Sequence, residues 1–378
     1  MYWQTERIRT AAALAVGSTY RLTLPDSGFL SALMLYISGD QVSGVFDDGG
    51  LWRIVDHITK VEVVANGSTV VKDLTGQLVQ ALAFYDQGRP ALDTWRNYAS
   101  NTQMCSLLLN FGRWLHDPDY GLDLSKYDNV ELRITTDATV AMFASGFAVN
   151  IDAIWLRPAA QARSMGFLRA EVWRQWTTVS DEWQYLELPS ENIIRRIVLQ
   201  AIPAYDSTTK AADTQFTNVI YDVQHKLKTG EVNVFDGRMA DLARINAYDY
   251  GGYLILPGHV YLNADKAVPF GVGVPQAKVF TVGSYSGAVE TVIATLEAGQ
   301  TADTIRFENG MGAGPDEGLA IGYGYHNTAV LRHDVDSDPL TWLDPAGMRT
   351  VLLNLHTRSS SSADDGTARV VLDRLVRY

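Results

Sequence analysis

Residues 333 to 339 read HDVDSDP and set Asp334, Asp336 and Asp338 at the alternate spacing with which a calcium loop turns carboxylates toward one ion. Pro339 falls where that loop requires glycine, and no glutamate stands at its twelfth position. The expectation is turn chemistry, with Asp side chains capping backbone groups ahead of a strand; a cation held by the three residues is the alternative. Asp117 and Asp119, in HDPDYGLD at 116 to 123, are read the same way. The histidines His57, His116, His225, His259, His326, His333 and His356 include no His-x-His pair and no His-Glu-x-x-His helix. The chain lacks a Gly-x-Ser-x-Gly elbow and a phosphate loop, and GVGVP at 271 to 275 has too few glycines in register for a dinucleotide fingerprint. Cys105 is alone, which excludes an intramolecular disulfide and a cysteine-rich metal site, and in MCSLLLNF it reads as a small buried apolar residue. No catalytic, cofactor-binding or metal-ligating residue is expected, and no enzyme.

The elements that would position any site must come from a chain of 378 residues, 47% hydrophobic and 20% charged, which has room for two ordinary cores. The net charge of −12 argues against a phosphate-binding surface over the whole molecule. The apolar run AAALAV at 11 to 16 is far short of a membrane span and lacks a cleavage-site context, so synthesis in the cytoplasm is expected.

The chain repeats itself. YRLTLPDSGFLSALMLYISG at 20 to 39 returns as YLELPSENIIRRIVLQAIP 164 positions later, with Leu22, Leu24 and Pro25 on Leu186, Leu188 and Pro189. Both halves run on to a hairpin signal, VEVVANGSTVV at 61 to 71 and VQHKLKTGEVNV at 223 to 234. There Gly67 falls on Gly230 at offset 163, and Asn66-Gly67 predicts a type I′ turn. A helical segment follows in each, ending at Gly88 and Gly251, where a left-handed C-cap is wanted. One face carries Leu78, Ala81 and Leu82 in the first and Met239, Leu242 and Ala243 in the second. At the ends of the halves VELRI at 130 to 134 matches VLLNL at 351 to 355, and VNIDAIW at 149 to 155 matches VVLDRLV at 370 to 376. Both matches are offset by 221, so the second half has 58 extra residues (221 − 163) between Gly251 and Val351.

Most other periodic runs are β. VELRITT alternates, SLLLNF suits a strand buried on both faces, and AVETVIATLEAG at 288 to 299 fits helix and strand equally. Short strands between turn signals indicate sandwiches or barrels. The expected fold is all-β: two tandem eight-stranded jelly rolls, with short helices and loop insertions in the second. The N-terminal domain is set at 1–160 and the C-terminal one at 161–378, with an insertion between 252 and 350. The boundary is placed in RPAAQARSMGF, 157 to 167.

The first half orders a strand with LPDSG, the short helix LWRIVDHI running into VEVVANGS, a second helix, and LLLNFGRWLHDPDYGLDLSKYDNVELRITT. This order resembles the double jelly-roll major capsid proteins of tailless icosahedral DNA viruses, the lineage of adenovirus hexon and the membrane-containing bacteriophages. The likeness covers the architecture of the whole chain and is most specific at 51 to 74 and 107 to 136. It implies a homotrimer, nearly hexagonal because three subunits present six similar domains. It further implies a capsid lattice of such trimers, penton and minor capsid proteins beside them, an internal lipid membrane, and no direct contact with nucleic acid. The chain would be made in the host cytoplasm and reside in the virion. The alternative is a tandem jelly-roll protein that binds or processes glycans, because 9 Trp and 18 Tyr could present carbohydrate platforms; Trp155 and Trp173, in apolar surroundings, read instead as core or interface. The N-terminal MYWQTERIR, with Tyr2, Trp3, Arg7 and Arg9, and the nearby Arg157, Arg163, Arg169 and Arg174 against Glu171, suit a lipid headgroup boundary. The alternative for these is packing of Trp3 against a neighbouring subunit and pairing of the arginines with acids.

Overall fold

The period-2 pattern of VELRITT fixes one strand face outright: in Val130–Thr136, Val130, Leu132, Ile134 and Thr136 are buried while Glu131, Arg133 and Thr135 are half-buried. In the computed structural model the described residues are 1–41, 52–94, 96–97, 102–137, 143, 145–158, 163–204, 215–261, 266–269, 271–283, 289–292, 304–307, 315–359 and 366–378. They form two compact units. The first takes the described residues up to Glu171 together with Leu375–Tyr378, and the second takes Val172–Arg374.

The first unit is built on β1 (Tyr2–Ala13), β2 (Thr19–Thr23), β3 (Phe29–Asp40), β4 (Ile58–Ala65), β5 (Thr69–Leu74), β7 (Thr102–Asn110), β9 (Val130–Thr136) and β10 (Ser145–Arg157). Two short pieces, β6 (Arg96–Asn97) and β8 (Leu122–Asp123), accompany them. One sheet has the order β1-β10-β3-β7, the other β2-β9-β4-β5. Apart from the β4–β5 hairpin, the successive long strands pass from one sheet to the other, which is the jelly-roll connection. The hairpin between β4 and β5 turns on Asn66 and Gly67 at φ 51° and 74°, and Ser68 N–H donates to Ala65 O at 3.2 Å. Both central residues lie in the left-handed region that a type I′ turn needs. Helix α1 (Gly76–Gln87) starts where Thr75 Oγ1 accepts from Leu78 N–H and stops at Gly88, whose φ is 69°.

The second unit repeats the plan. It uses β11 (Gly166–Thr177, whose first six residues count with the first unit), β12 (Trp183–Glu187), β13 (Ile193–Ile202), β14 (Asp222–Leu227) and β15 (Val232–Arg238). Later in the chain come β22 (Thr328–Arg332), β23 (Val351–His356) and β24 (Thr367–Arg377). The orders are β11-β24-β13-β22 and β12-β23-β14-β15, strand for strand those of the first unit. The chain is a double jelly roll. A four-residue helix, α2 (Phe216–Val219), precedes β14, and between β15 and β22 lie helix α3 (Met239–Asp249) and then β16 (Leu254–Tyr261), β17 (Lys266–Pro269), β18 (Val272–Gly283), β19 (Val289–Val292), β20 (Thr304–Phe307) and β21 (Pro315–Tyr325). β19 pairs with β18, so 289 to 292 are strand; the rest of 288 to 299 lies outside the described residues. α3 ends one residue earlier than its sequence stop implied: Tyr250 takes the cap position at φ −116°, and Gly251 follows at 103°.

One core draws on both sheets and both helices of the second unit: Ile197 and Leu199 of β13, Val370 and Leu372 of β24, Leu353 and Leu355 of β23, Val223 of β14, Phe216 of α2, and Met239 and Leu242 of α3. SLLLNF does not form a strand buried on both faces. Leu107 and Leu109 are buried, Ser106 and Leu108 half-buried, because β7 ends its sheet and is covered from the side by α1.

The helix is riveted to that end strand in both units by a buried amide. In the first, Gln80 Nε2 donates to Ser106 O of β7 at 3.0 Å. In the second, Asn246 Nδ2 donates to Val330 O of β22 at 2.9 Å and its Oδ1 accepts from Val330 N–H at 2.6 Å. Replacing Asn246 by Ala strands both backbone groups of Val330 away from water. Asn246→Ala is expected to lower unfolding free energy by about 2 to 4 kcal/mol, read as a shifted urea midpoint at unchanged slope; wild-type stability would show that the rivet contributes nothing.

Candidate assembly surface

The residues singled out by chemistry in the sequence are taken up by structure. Asp334 is buried and accepts from Arg195 Nε at 2.6 Å. Asp336 caps the loop through Thr341 Oγ1 at 2.7 Å, and Asp338 accepts from Leu340 N–H at 3.0 Å. The three carboxylates thus face different partners. Asp117, fully buried, accepts from the backbone N–H groups of Arg113, Asp119 and Tyr120 and from Arg113 Nε and Nη2 at 2.7 and 2.9 Å. The Arg113 guanidinium lies 4.2 Å from the Trp114 ring centre and 4.6 Å from that of Tyr120, closing the loop as a rigid knot. Among the described residues no three His, Cys, Asp or Glu side chains converge as a metal site. Cys105 is buried, and burial pushes its thiol well up.

The histidines serve separate packing roles. His57 Nδ1 meets Asp137 at 3.1 Å, and His116 packs edge-on to Trp3 at 5.1 Å. His356 stacks on Trp183 and sits between Asp222 and Asp181 at 3.0 and 3.1 Å. His259 carries no described side chain. Among the tryptophans, Trp52, Trp155 and Trp342 are buried, which removes them as sugar platforms. An open cleft in the second unit is lined by Arg244, Ala247, Tyr248, Gly252, Tyr253 and Tyr323.

Of the arginines read as a lipid boundary, several are held by acids. Arg7 makes a bidentate contact with Asp152 at 2.5 and 2.9 Å, Arg157 reaches Glu6 at 3.6 Å, and Arg169 meets Glu171 at 2.6 Å. Arg174 lies over the Trp173 ring at 5.1 Å. Trp3 packs on Phe29 and His116 of its own chain.

Sequence reasoning missed a buried charge cluster in the second unit. Arg195 and Arg196, adjacent on β13, converge on Asp373 of β24 at 3.5 and 2.8 Å, and Arg332 joins Asp334 at 3.4 Å. The motif IIRRIV looks like a solvated stretch inside an apolar strand. The one signal was that its flanks are continuously apolar, which leaves the two arginines no exposed face. Sequence reasoning also missed the edge strands. Every other strand of the first unit's two sheets carries a buried residue, whereas β1 carries none along its twelve residues and pairs only with β10 among the described residues. In the second unit β15 pairs only with β14 and exposes Val232 and Val234 at 42% and 43%. Unpaired strand edges are templates for another chain.

No protein-family model matches the chain, and no curated protein matches its sequence. Its fold is similar to solved viral capsid structures. The major capsid protein of STIV, Sulfolobus Turreted Icosahedral Virus, superposes with a TM-score of 0.59 at 12% identity, over 100% of this chain and 97% of that one. The PBCV-1 virus capsid gives 0.58 at 10% identity over 99% and 94%. The major capsid protein P2 of bacteriophage PM2 gives 0.50 at 10% identity over 100% and 98%. At such identities the likeness is one of fold, and it spans both jelly rolls.

The second unit also buries an imidazole pair. His225 and His333 meet edge-to-face at 5.2 Å, with His225 Nδ1–H donating to Leu352 O at 3.1 Å. Burial pushes His225 down, and burial with His225 alongside pushes His333 down to about 3. Both rings stay neutral in the fold, while the unfolded chain takes up protons near pH 6.5. Their contribution is therefore complete above about pH 6.5 and is lost as pH falls from there toward about 3, at up to ~1.4 kcal/mol per pH unit for one group. Urea unfolding at pH 7 and pH 5 should show a loss of about 2 kcal/mol from His333 alone, and His333→Leu should flatten that dependence; an identical pH slope in the variant would remove the pair as its cause.

Proposed function

We propose that this chain is the major capsid protein of an icosahedral virus, a structural subunit and not an enzyme. One observation carries the reading: two eight-stranded jelly rolls of identical strand order stand in a single chain, and solved capsid subunits of that fold match it from end to end. In this reading the domains 1–160 and 161–378 are two nearly equivalent tile positions. Three copies supply six of them, close through heterologous contacts, and pack as pseudo-hexagonal units in the shell. The partners are further copies in the lattice, penton and minor capsid proteins where the lattice closes, and an internal lipid membrane. Nucleic acid is not contacted directly, which the net charge of −12 supports. The protein resides in the virion after synthesis in the host cytoplasm.

Size-exclusion chromatography with light scattering tests this. The expected mass is that of three chains of 41.7 kDa. A protein that stays monomeric across the micromolar range would overturn the capsid reading.

A further inference from the structure

The repeat makes each strand of one unit the counterpart of a strand in the other. The stretches that follow β1 and β11 match at offset 164, with Leu22, Leu24 and Pro25 on Leu186, Leu188 and Pro189, so β1 and β11 are set at offset 164. Val61 faces Leu74 in the β4–β5 hairpin and Val223 faces Gly237 in β14–β15, so β5 and β15 correspond at offset 163 (237 − 74). The N-caps Thr75 and Arg238 keep the same offset.

Within the first unit, β5 does not end its sheet as an open edge. Ala170 and Glu171, in the part of β11 that belongs to this unit, pair in parallel with Lys72 and Asp73 of β5. The counterparts of those two strands are β1 and β15, each of which among the described residues has a neighbour on one side only. The chain thus satisfies this edge contact once and leaves both halves of a second, equivalent contact open.

We propose that β15 of one copy takes β1 of the next copy as a parallel neighbour, in the register Phe235 beside Glu6 and Asp236 beside Arg7. The register follows by subtracting 164 from Ala170 and Glu171 and adding 163 to Lys72 and Asp73. The contact rests on the capsid reading for its number of copies and specifies the surface that joins them. Three features of the two strands favour a second copy as occupant. β15 begins with exposed Val232 and Val234, which an added strand shields from water. β1 is long and extended, and carries no buried residue, with Thr5, Glu6 and Arg7 all open to solvent. The charges also match. In the contact made within the chain, Glu171 stands beside Asp73, with Arg169 on the first and Lys60 near the second at 2.6 and 3.5 Å. In the contact between copies, Arg7, itself bonded to Asp152, stands beside Asp236, which Lys226 approaches at 4.0 Å, so a cation faces a carboxylate where the first contact has two carboxylates. The contact is heterologous, head to tail, and such contacts close into rings.

Disulfide trapping tests the register. The double variant Arg7→Cys with Asp236→Cys, and separately Glu6→Cys with Phe235→Cys, is oxidised as assembled protein; Cys105 is buried and stays silent. Parallel neighbours lie within disulfide reach, so covalent species of two and three chains are expected on non-reducing gels, joined between the peptides that contain residues 6 or 7 and 235 or 236. A link that stays within one chain overturns the proposal. Trimers that form yet yield no link in either variant also overturn it, and leave the capsid reading standing. Loss of the trimer from the unsubstituted protein overturns both. Hydrogen exchange on unsubstituted trimers gives a second readout: amides of β1 and β15 are expected to be as slow as those of central strands, and fast exchange along β15 sinks the strand contact even where a variant fails to fold.

Discussion

A four-stranded sheet has two faces and two edges, and every structural choice in this chain answers one of the four. Packing sheet against sheet buries one face of each, which is why Leu33, Leu35 and Ile37 on β3 are completely buried while the residues between them are half-covered. Edges are the harder problem, because an unpaired row of amide and carbonyl groups invites another strand. The helix after the β4–β5 hairpin, and its repeat after β15, guard one edge in each unit by lying beside β7 and β22. The buried amides of Gln80 and Asn246 bond that strand's backbone directly. A polar side chain on an otherwise apolar helix face is thus the device that lets a helix end a sheet.

The same constraint explains where the two units diverge. Asp152 on β10 and Asp373 on β24 are counterparts in the matched stretches VNIDAIW and VVLDRLV. Each keeps arginine partners, but from opposite sides. Asp152 is bound by Arg7 of the outer strand β1, half in solvent. Asp373 is bound by Arg195 and Arg196 of β13, where the side chains are almost fully buried. In the first unit Ser31 and Ala32 stand where the second has Arg195 and Arg196 (195 − 164 and 196 − 164). Burying these charges costs desolvation that only close pairing offsets, and losing one partner would leave the others uncompensated. The carboxylate was therefore retained in the repeat while its partner moved from edge to core.

What the sequence disclosed follows from how local each feature is. Asn66-Gly67 and Gly88 needed positive φ, and glycine or asparagine at those positions announces it without reference to the rest of the fold. The repeat was legible because leucine and valine periods survive in β2, β3, β9 and their counterparts. The charge cluster was not, since Arg195 and Arg196 find their partner on β24, more than 170 residues away in the chain. Nor was the nature of β1: with no face buried it has no apolar period, and the partners of Arg7 and Trp3, Asp152 and Phe29, lie far off in the chain. Asp117, Asp336 and Asp338 were legible as turn chemistry because Asp caps act within a few residues, whereas Asp334 is held by Arg195 of β13.

Duplication within one chain does something that six identical domains could not. Identical domains must all carry the same loops, so a long excursion appears six times around a ring and crowds its own copies. Here β16 to β21 stand between α3 and β22, and among the described residues the corresponding stretch of the first unit, from α1 to β7, holds only the two-residue β6. A ring built from three such chains would carry three excursions, alternating with three plain domains, on a framework whose strand orders remain the same. The cost is that the two units no longer share one core, since a buried ion cluster in the second replaces small neutral residues in the first. The strand orders tolerate that change because the backbone ladder, unlike the side-chain core, makes the same hydrogen bonds whatever residues it carries. Symmetry therefore resides in the sheets, and the difference between the two domains is confined to what the sheets carry.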